Sequence, residues 1–379
     1  MTMPDRFNRW LLRLLTSLLL FAAAATQAAG EPIVIGQSVP NGPGSYRATV
    51  ALSQGARAYV GFINASGGIH GHPIKLVTLD GGNDPAKHAE NVRTLVHEHG
   101  AIAIIGCAGD DVCAATATAA QQMHVPLIGA LSGLRGMGHD RSPYLFPLRP
   151  GYAIEAAALV NQMKSLGISR AALLTDAPRN GEKETALRQA MEARGTRETT
   201  LNVSLSSPGT ISKALSSIAT GDYQTVVMDI VPDMVDMLAD RKVGNSPEWP
   251  RTLMSLSSSS FQGIGNIFPG RVLGFTQVVP SPETDNIPLT FDLLRQADLY
   301  SSGQAIDFDG MAAYMAAKLA IEGIRRAGAH PDGDGVAAAL ASAPVIELGG
   351  YAVSFAQGRV SGSDHVSIGL RSREGFFLK

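Results

Sequence analysis

The chain has 379 residues, 45% hydrophobic and 17% charged, long enough for about two packed domains at roughly 150 residues each. Its formal charge of -2, from 31 basic and 33 acidic residues, excludes the basic footprint of a nucleic-acid binder or a polybasic membrane anchor. The 41 Gly and 21 Pro stay below the roughly 25–30% of a low-complexity chain and stand between apolar segments, which leaves a fold of many short elements.

Arg6, Arg9 and Arg13 precede an apolar run from Leu14 to Ala25, and small residues follow at Thr26, Ala28 and Gly30. These are the three parts of a secretory signal peptide, residues 1–30, cleaved after Ala28 or Gly30. A membrane anchor needs about 20 apolar residues, and this run has 12. The mature chain is expected to start near Glu31, soluble outside the cytoplasm and not embedded in a membrane.

Ile33 to Val39 reads as a strand, followed by a Gly/Pro loop (Pro40 to Gly44) and a helix from about Ser45 to Asn64, closed by Gly67 and Gly68. The unit repeats: strand 74–80, helix 85–99, strand 101–106, helix 111–124, strand 126–129. A second series follows Gly151: helix 153–166, strand 171–175, helices 182–193 and 211–219, strand 225–230, helix 232–243, strand 252–255. A late helix, 308–327, spaces Met311, Tyr314, Met315, Leu319 and Ile324 as core residues. Such alternation predicts an α/β fold, two lobes of parallel sheet covered by helices on both faces. Ligands bind such sheets beyond the carboxyl ends of the strands, so the loops Pro40 to Tyr46, Cys107 to Asp111 and Ala130 to Arg135 are the candidates.

Cys107 and Cys113 are the only cysteines. In an exported chain a disulfide between them is permitted, closing a small loop; two buried thiols are the alternative, decided by whether the Cα atoms come within about 7 Å. Two sulfurs alone do not complete a tetrahedral metal site.

The stretch Ile63-Asn64-Ala65-Ser66-Gly67-Gly68-Ile69-His70-Gly71-His72-Pro73-Ile74 resembles the "iNa-GGi-Gr-i" signature of periplasmic binding proteins serving branched-chain amino acid ABC transporters. Asp80 with Asn83-Asp84-Pro85, Val125-Pro126-Leu127-Ile128 with Ser132-Gly133, Leu148-Arg149 with Tyr152, and Asp307-Phe308-Asp309-Gly310-Met311 are similar to further segments of that family, in order along nearly the whole mature chain. The resemblance to these leucine/isoleucine/valine-binding proteins implies a two-lobed type I periplasmic binding fold. Each lobe is an αβα sandwich, three hinge crossings join them, and the lobes close on a solute handed to a membrane permease. It places lobe 1 at residues 31–151 plus 279–345 and lobe 2 at 152–278 plus 346–379, with crossings near Gly151, Val278 and Val345. It also implies a monomer in the periplasm, without a cofactor. The same fold serves ligand-sensing modules of signalling systems, which is the alternative reading.

In the amino-acid binders of that family, loops after the third and fourth strands present hydroxyls and backbone N–H groups to the ligand carboxylate. Here those loops read Cys107-Ala108-Gly109-Asp110-Asp111 and Leu131-Ser132-Gly133-Leu134. Ser132 and Gly133 fit that pattern. Asp110 departs from it: its carboxylate repels an anion and attracts an ammonium or amide donor, unless it or Asp111 only caps the following helix. Across the cleft, the segments matching the relatives' aromatic wall and ammonium-binding acid are Ala177 to Gly181 and Ser255 to Ser258, which hold neither. Arg179 offers a fork for a carboxylate and Ser257 a neutral hydroxyl, so the polarity across the cleft reads as reversed. Tyr46, Tyr152 and Val231 are candidate wall residues, with packing as the alternative for Tyr46; the alternative for Arg179 is a solvated loop side chain and for Ser257 a flexible loop.

No catalytic constellation accompanies these residues. His97-Glu98-His99 lacks the i, i+4 histidines of a zinc helix, and there is no G-x-S-x-G elbow or P-loop. Asp332-Gly333-Asp334-Gly335 reads as an acidic turn without calcium-loop ligands. The expectation is a binding protein and not an enzyme, taking a small amino acid, amide or organic acid. Arg179→Ala is expected to weaken binding of an anionic ligand, measured by calorimetry; an unchanged affinity removes Arg179 from the site.

Overall fold

The computed structural model describes residues 30–39, 47–134, 142–176, 181–243, 246–257, 268, 270–301, 306–356, 359–371 and 377–378. Residues 1–29 of the expected signal peptide, Tyr46 and Arg179 lie outside them. Among the described residues no helix is long and apolar enough to cross a membrane.

The first series builds a five-stranded sheet in the order β2-β1-β3-β4-β5, from β1 (Ile33–Val39), β2 (Ile74–Asp80), β3 (Ala101–Ile105), β4 (Leu127–Ile128) and β5 (Leu145–Phe146). All four pairings are parallel. The crossovers are helices α1 (Arg47–Ala65), α2 (Pro85–His97) and α3 (Asp110–Gln122). Asp84 caps α2 by accepting from the Ala86 N–H, just ahead of Pro85; Pro there costs nothing, because a helix's first N–H has no intrahelical partner.

The second series begins with α4 (Tyr152–Ser165) and continues through β6 (Arg170–Thr175), α5 (Gly181–Ala193), β7 (Arg197–Asn202), α6 (Pro208–Thr220), β8 (Thr225–Asp229), α7 (Pro232–Asp240), β9 (Thr252–Ser255) and β10 (Val272–Gln277). Its sheet runs β14-β13-β10-β9-β8-β6-β7, where β13 (Ser367–Arg371) and β14 (Phe377–Leu378) add an antiparallel edge to an otherwise parallel sheet. That edge departs from the purely parallel expectation. Parallel strands covered on both faces read as continuous apolar runs, and all five residues of β8 are buried.

After β10 the chain returns to the first lobe. The helices α8 (Pro288–Tyr300), α9 (Phe308–Ala327) and α10 (Gly333–Ser342) and the small ribbon β11 (Ile346–Glu347) and β12 (Ala352–Val353) follow. Leu289, Tyr314, Leu340, Ile346, Val353 and Phe355 share one core with Ile35 and Ile105. Because residues 346–355 pack in the first lobe while β13 pairs with β10, the third crossing falls between Phe355 and Ser367, beyond the Val345 position expected from sequence. The first and third crossings are tied by Gly362 N–H to Pro147 O (2.9 Å) and Ser361 Oγ to Arg149 O (2.7 Å).

The turn expected at Asp332 is instead the cap of α10, with its carboxylate accepting from the Gly335 N–H. Two glycines in the first turn conceal this helix from a propensity reading. The five spaced residues of α9 are all fully buried, against α1 on one side, where Gly55 meets Gly310. A Cβ at Gly55 would lie 1.9 Å from the Gly310 carbonyl oxygen. Backbone cannot yield as a side-chain tip does, so Gly55→Ala is expected to destabilise the protein by about 1–3 kcal/mol; urea unfolding checks this.

Candidate functional site

The carboxyl ends of both sheets meet at the hinge, and the loops there carry the polar residues. In the first lobe, Leu131 N–H donates to Cys107 O (3.0 Å), which draws the β3 and β4 loops together. Cys107 and Cys113 form a disulfide, Cα atoms 5.4 Å apart. It spans the turn in which Gly109, at φ 90°, begins α3. A positive φ of this kind suits glycine. Gly109 is the cap position; Asp110 is the first helical residue and caps nothing. Its Oδ1 accepts from Ser132 Oγ (2.7 Å) and Tyr152 OH (2.6 Å).

Tyr152 begins α4, whose apolar face packs in the second lobe. Its bond to Asp110 therefore joins the two lobes. The ring lies against Gly133, where a Cβ would sit 2.7 Å from it, and the Tyr152 N–H donates to Gly133 O. Only 1% of Tyr152 is exposed. Burial pushes its hydroxyl up to about 12, with Arg149 and Lys183 pulling the other way, so the phenol stays a hydrogen-bond donor to Asp110 through the physiological range.

The sequence reading missed the two cations flanking that ring. Arg149 lies 5.2 Å and Lys183 Nζ 5.5 Å from its centroid, distances at which a cation is attracted to the aromatic face. Arg149, in the first crossing, pairs with the fully buried Glu155 of α4. Glu155 also accepts from Thr276 Oγ1 and from the Ser257 N–H (2.6 Å), so it gathers the ends of β9 and β10 at the hinge. Lys183, in the first turn of α5, pairs with Asp229 at the end of β8, 2.9 Å apart. Burial works against the Lys183 ammonium, but Asp229, Tyr152 and Asp110 outweigh it and its pKa is raised. Burial lifts the Asp229 carboxyl, opposed by Lys183.

Two signals for this pair were in the sequence. A lysine in the first turn of a helix opposes the macrodipole, and a carboxylate at the end of an apolar strand needs a partner.

Of the sequence candidates, Asp110, Ser132, Gly133 and Tyr152 touch one another, and Ser257 reaches them through Glu155 and Arg149. The Ser257 Oγ is buried without a hydrogen-bond partner among the described residues. Val231 caps α7 and packs half-buried on the second lobe's core, two residues past Asp229. Among the described residues no group of three or more His, Cys, Asp or Glu is placed to hold a metal ion.

A family model described as periplasmic binding protein matches residues 32–365. In shape the chain is similar to a substrate-binding periplasmic protein from Ralstonia solanacearum (22% identity, TM-score 0.80, covering 91% of this chain and 99% of that one). It is also similar to a possible leucine/isoleucine/valine-binding protein from Rhodopirellula baltica SH 1 (18%, 0.81, 94% and 98%). A third is an ABC transporter solute-binding protein from R. palustris in complex with benzoate (17%, 0.73, 92% and 95%). At these identities the likeness shows the fold. No curated protein matches the chain in sequence.

Asp309, in the first turn of α9, has its carboxyl pushed up to about 7 by burial and by Asp307, with Arg149 opposing. A folded-state pKa above the unfolded one makes a stabilising contribution that is full below about pH 4 and lost as pH rises through 7. Melting temperature is therefore expected to fall from about pH 4 to about pH 7 and to level off above it, and Asp309→Asn to flatten that slope.

Proposed function

Since the chain belongs to the periplasmic binding protein family, whose members bind solutes for ABC transporters outside the cytoplasm, we propose that it captures a small amino acid, amide or organic acid between its lobes and delivers it to a membrane permease. The N-terminal sequence supports export to the periplasm through a cleaved signal peptide. Asp110, Ser132 and Gly133 from the first lobe and Tyr152, Val231 and Ser257 from the second line the capture site in this reading. Tyr46 and Arg179 join them from outside the described residues.

One observation carries it: the 2.6 Å bond from Tyr152 OH to Asp110. It sets a charged group of one lobe against the other lobe at the ends of both sheets, where a solute would be enclosed. Closure is then a shift between open and closed populations, driven by whatever the solute gains from touching both lobes.

The test is a thermal-shift screen of the exported protein against amino acids, amides, amines and carboxylates, paired with X-ray scattering. A solute that binds the native state raises the melting temperature by mass action, and closure lowers the radius of gyration. A screen in which no solute does either, while the protein turns over some substrate, overturns the reading.

A further inference from the structure

Resting on that reading, we propose that the cleft selects a solute with a protonated nitrogen, received by Asp110, and that a carboxylate on the solute is dispensable. Much of the charge at the joined sheet edges is already paired within the protein. Among the described residues the two cations beside Tyr152 are both committed: Lys183 to Asp229 at 2.9 Å, and Arg149 to Glu155. Asp229 is 1% exposed, so drawing Lys183 away to meet a ligand anion would strand a buried carboxylate, a severe penalty. One lobe-2 acid at this edge, Asp229, is thus neutralised by the chain's own lysine.

Asp110 is different. Both hydrogen bonds to it come from neutral hydroxyls and both end on Oδ1; its Oδ2 has no hydrogen-bond partner among the described residues. The positive end of a helix is the usual attraction for a ligand anion, yet at this edge the helices supply their own. Asp110 and Asp111 sit in the first turn of α3, Glu155 in that of α4, Glu182 and Glu184 in that of α5, and Asp233 in that of α7. A ligand carboxylate approaching Asp110 meets like charge with these dipoles already satisfied. A protonated nitrogen meets a half-used carboxylate held rigid by Ser132, Tyr152 and the Cys107–Cys113 bridge. The Ser257 hydroxyl on the second lobe has no hydrogen-bond partner among the described residues, and it is neutral.

Calorimetry on exported protein, stripped of bound solute by unfolding and refolding, tests this with matched probes. The zwitterions are leucine and phenylalanine. Their amine counterparts are 3-methylbutylamine and 2-phenylethylamine, with putrescine and agmatine added. The acids are 4-methylpentanoate, 3-phenylpropanoate and benzoate. The expected result is binding by members of the amine set, with or without the zwitterions, and none by the acids. Asp110→Asn should lower amine affinity about 10- to 100-fold, the range for losing a charged hydrogen-bond partner, while Asp110→Glu retains more of it. Acids binding as well as amines overturn the inference and leave solute capture standing, as does amine binding indifferent to Asp110→Asn. If no probe of any class binds, including those of the wider screen, solute capture fails and the inference fails with it. The wild-type series decides the matter even if Asp110→Asn does not fold.

Discussion

The geometry at the hinge depends on one buried ion pair. Glu155 has no solvent exposure, and a carboxylate in that position persists only when paired and hydrogen-bonded. Arg149 supplies the charge, and Thr276 Oγ1 and the Ser257 N–H supply the bonds. Those partners come from the first crossing, from the last strand before the second crossing, and from the loop after β9. The requirement to satisfy one carboxylate therefore fixes three segments that are far apart in sequence. Removing either member would leave the other charged and buried, at a cost of about 3–5 kcal/mol. The third crossing is held to the same place by the Ser361 hydroxyl on the Arg149 carbonyl.

From this anchor the placement of Tyr152 follows. Its ring is bounded by Gly133 beneath and by Arg149 and Lys183 at cation–π distance, which leaves its hydroxyl directed to Asp110. The disulfide acts at the other end of that bond. A loop of this size contributes only about 2–3 kcal/mol to folding by the chain-entropy estimate, but it fixes the turn from which Asp110 projects. Its structural effect is local, as expected for so short a loop.

Much of the architecture was legible because hydrophobic periodicity reports burial directly. Strands 33–39, 74–80 and 252–255 and helix 308–327 were read with the bounds they have. Three of the elements not read have identifiable causes. β7 (Arg197–Asn202) is a polar edge strand, RETTLN, whose burial alternates only weakly. β10 carries Gly274 against Met254, and α10 hides behind two glycines. At the site, the sequence pointed to the loops, and so to Asp110, Ser132 and Tyr152, because loop position follows from strand order. It did not point to Lys183, Asp229, Arg149 or Glu155 as site residues. Local signals mark Lys183 and Asp229 as residues in need of partners, but which partner each takes is set by a pairing across a long sequence separation that no local pattern encodes.

The Asp110–Tyr152 bond sets a condition on how such a cleft can respond to a solute. A hydrogen bond to a charged group is worth about 1.5–3 kcal/mol, so this contact already favours the arrangement in which the lobes meet. A solute that displaced Tyr152 from Oδ1 would forfeit that contribution and would have to recover it before gaining any affinity. A solute that used Oδ2 instead would add to it. The Oδ2 of Asp110, without a hydrogen-bond partner among the described residues, is thus the position where binding and closure act in the same direction. The rigid support around that carboxylate is what allows a small solute to shift the balance between two whole lobes.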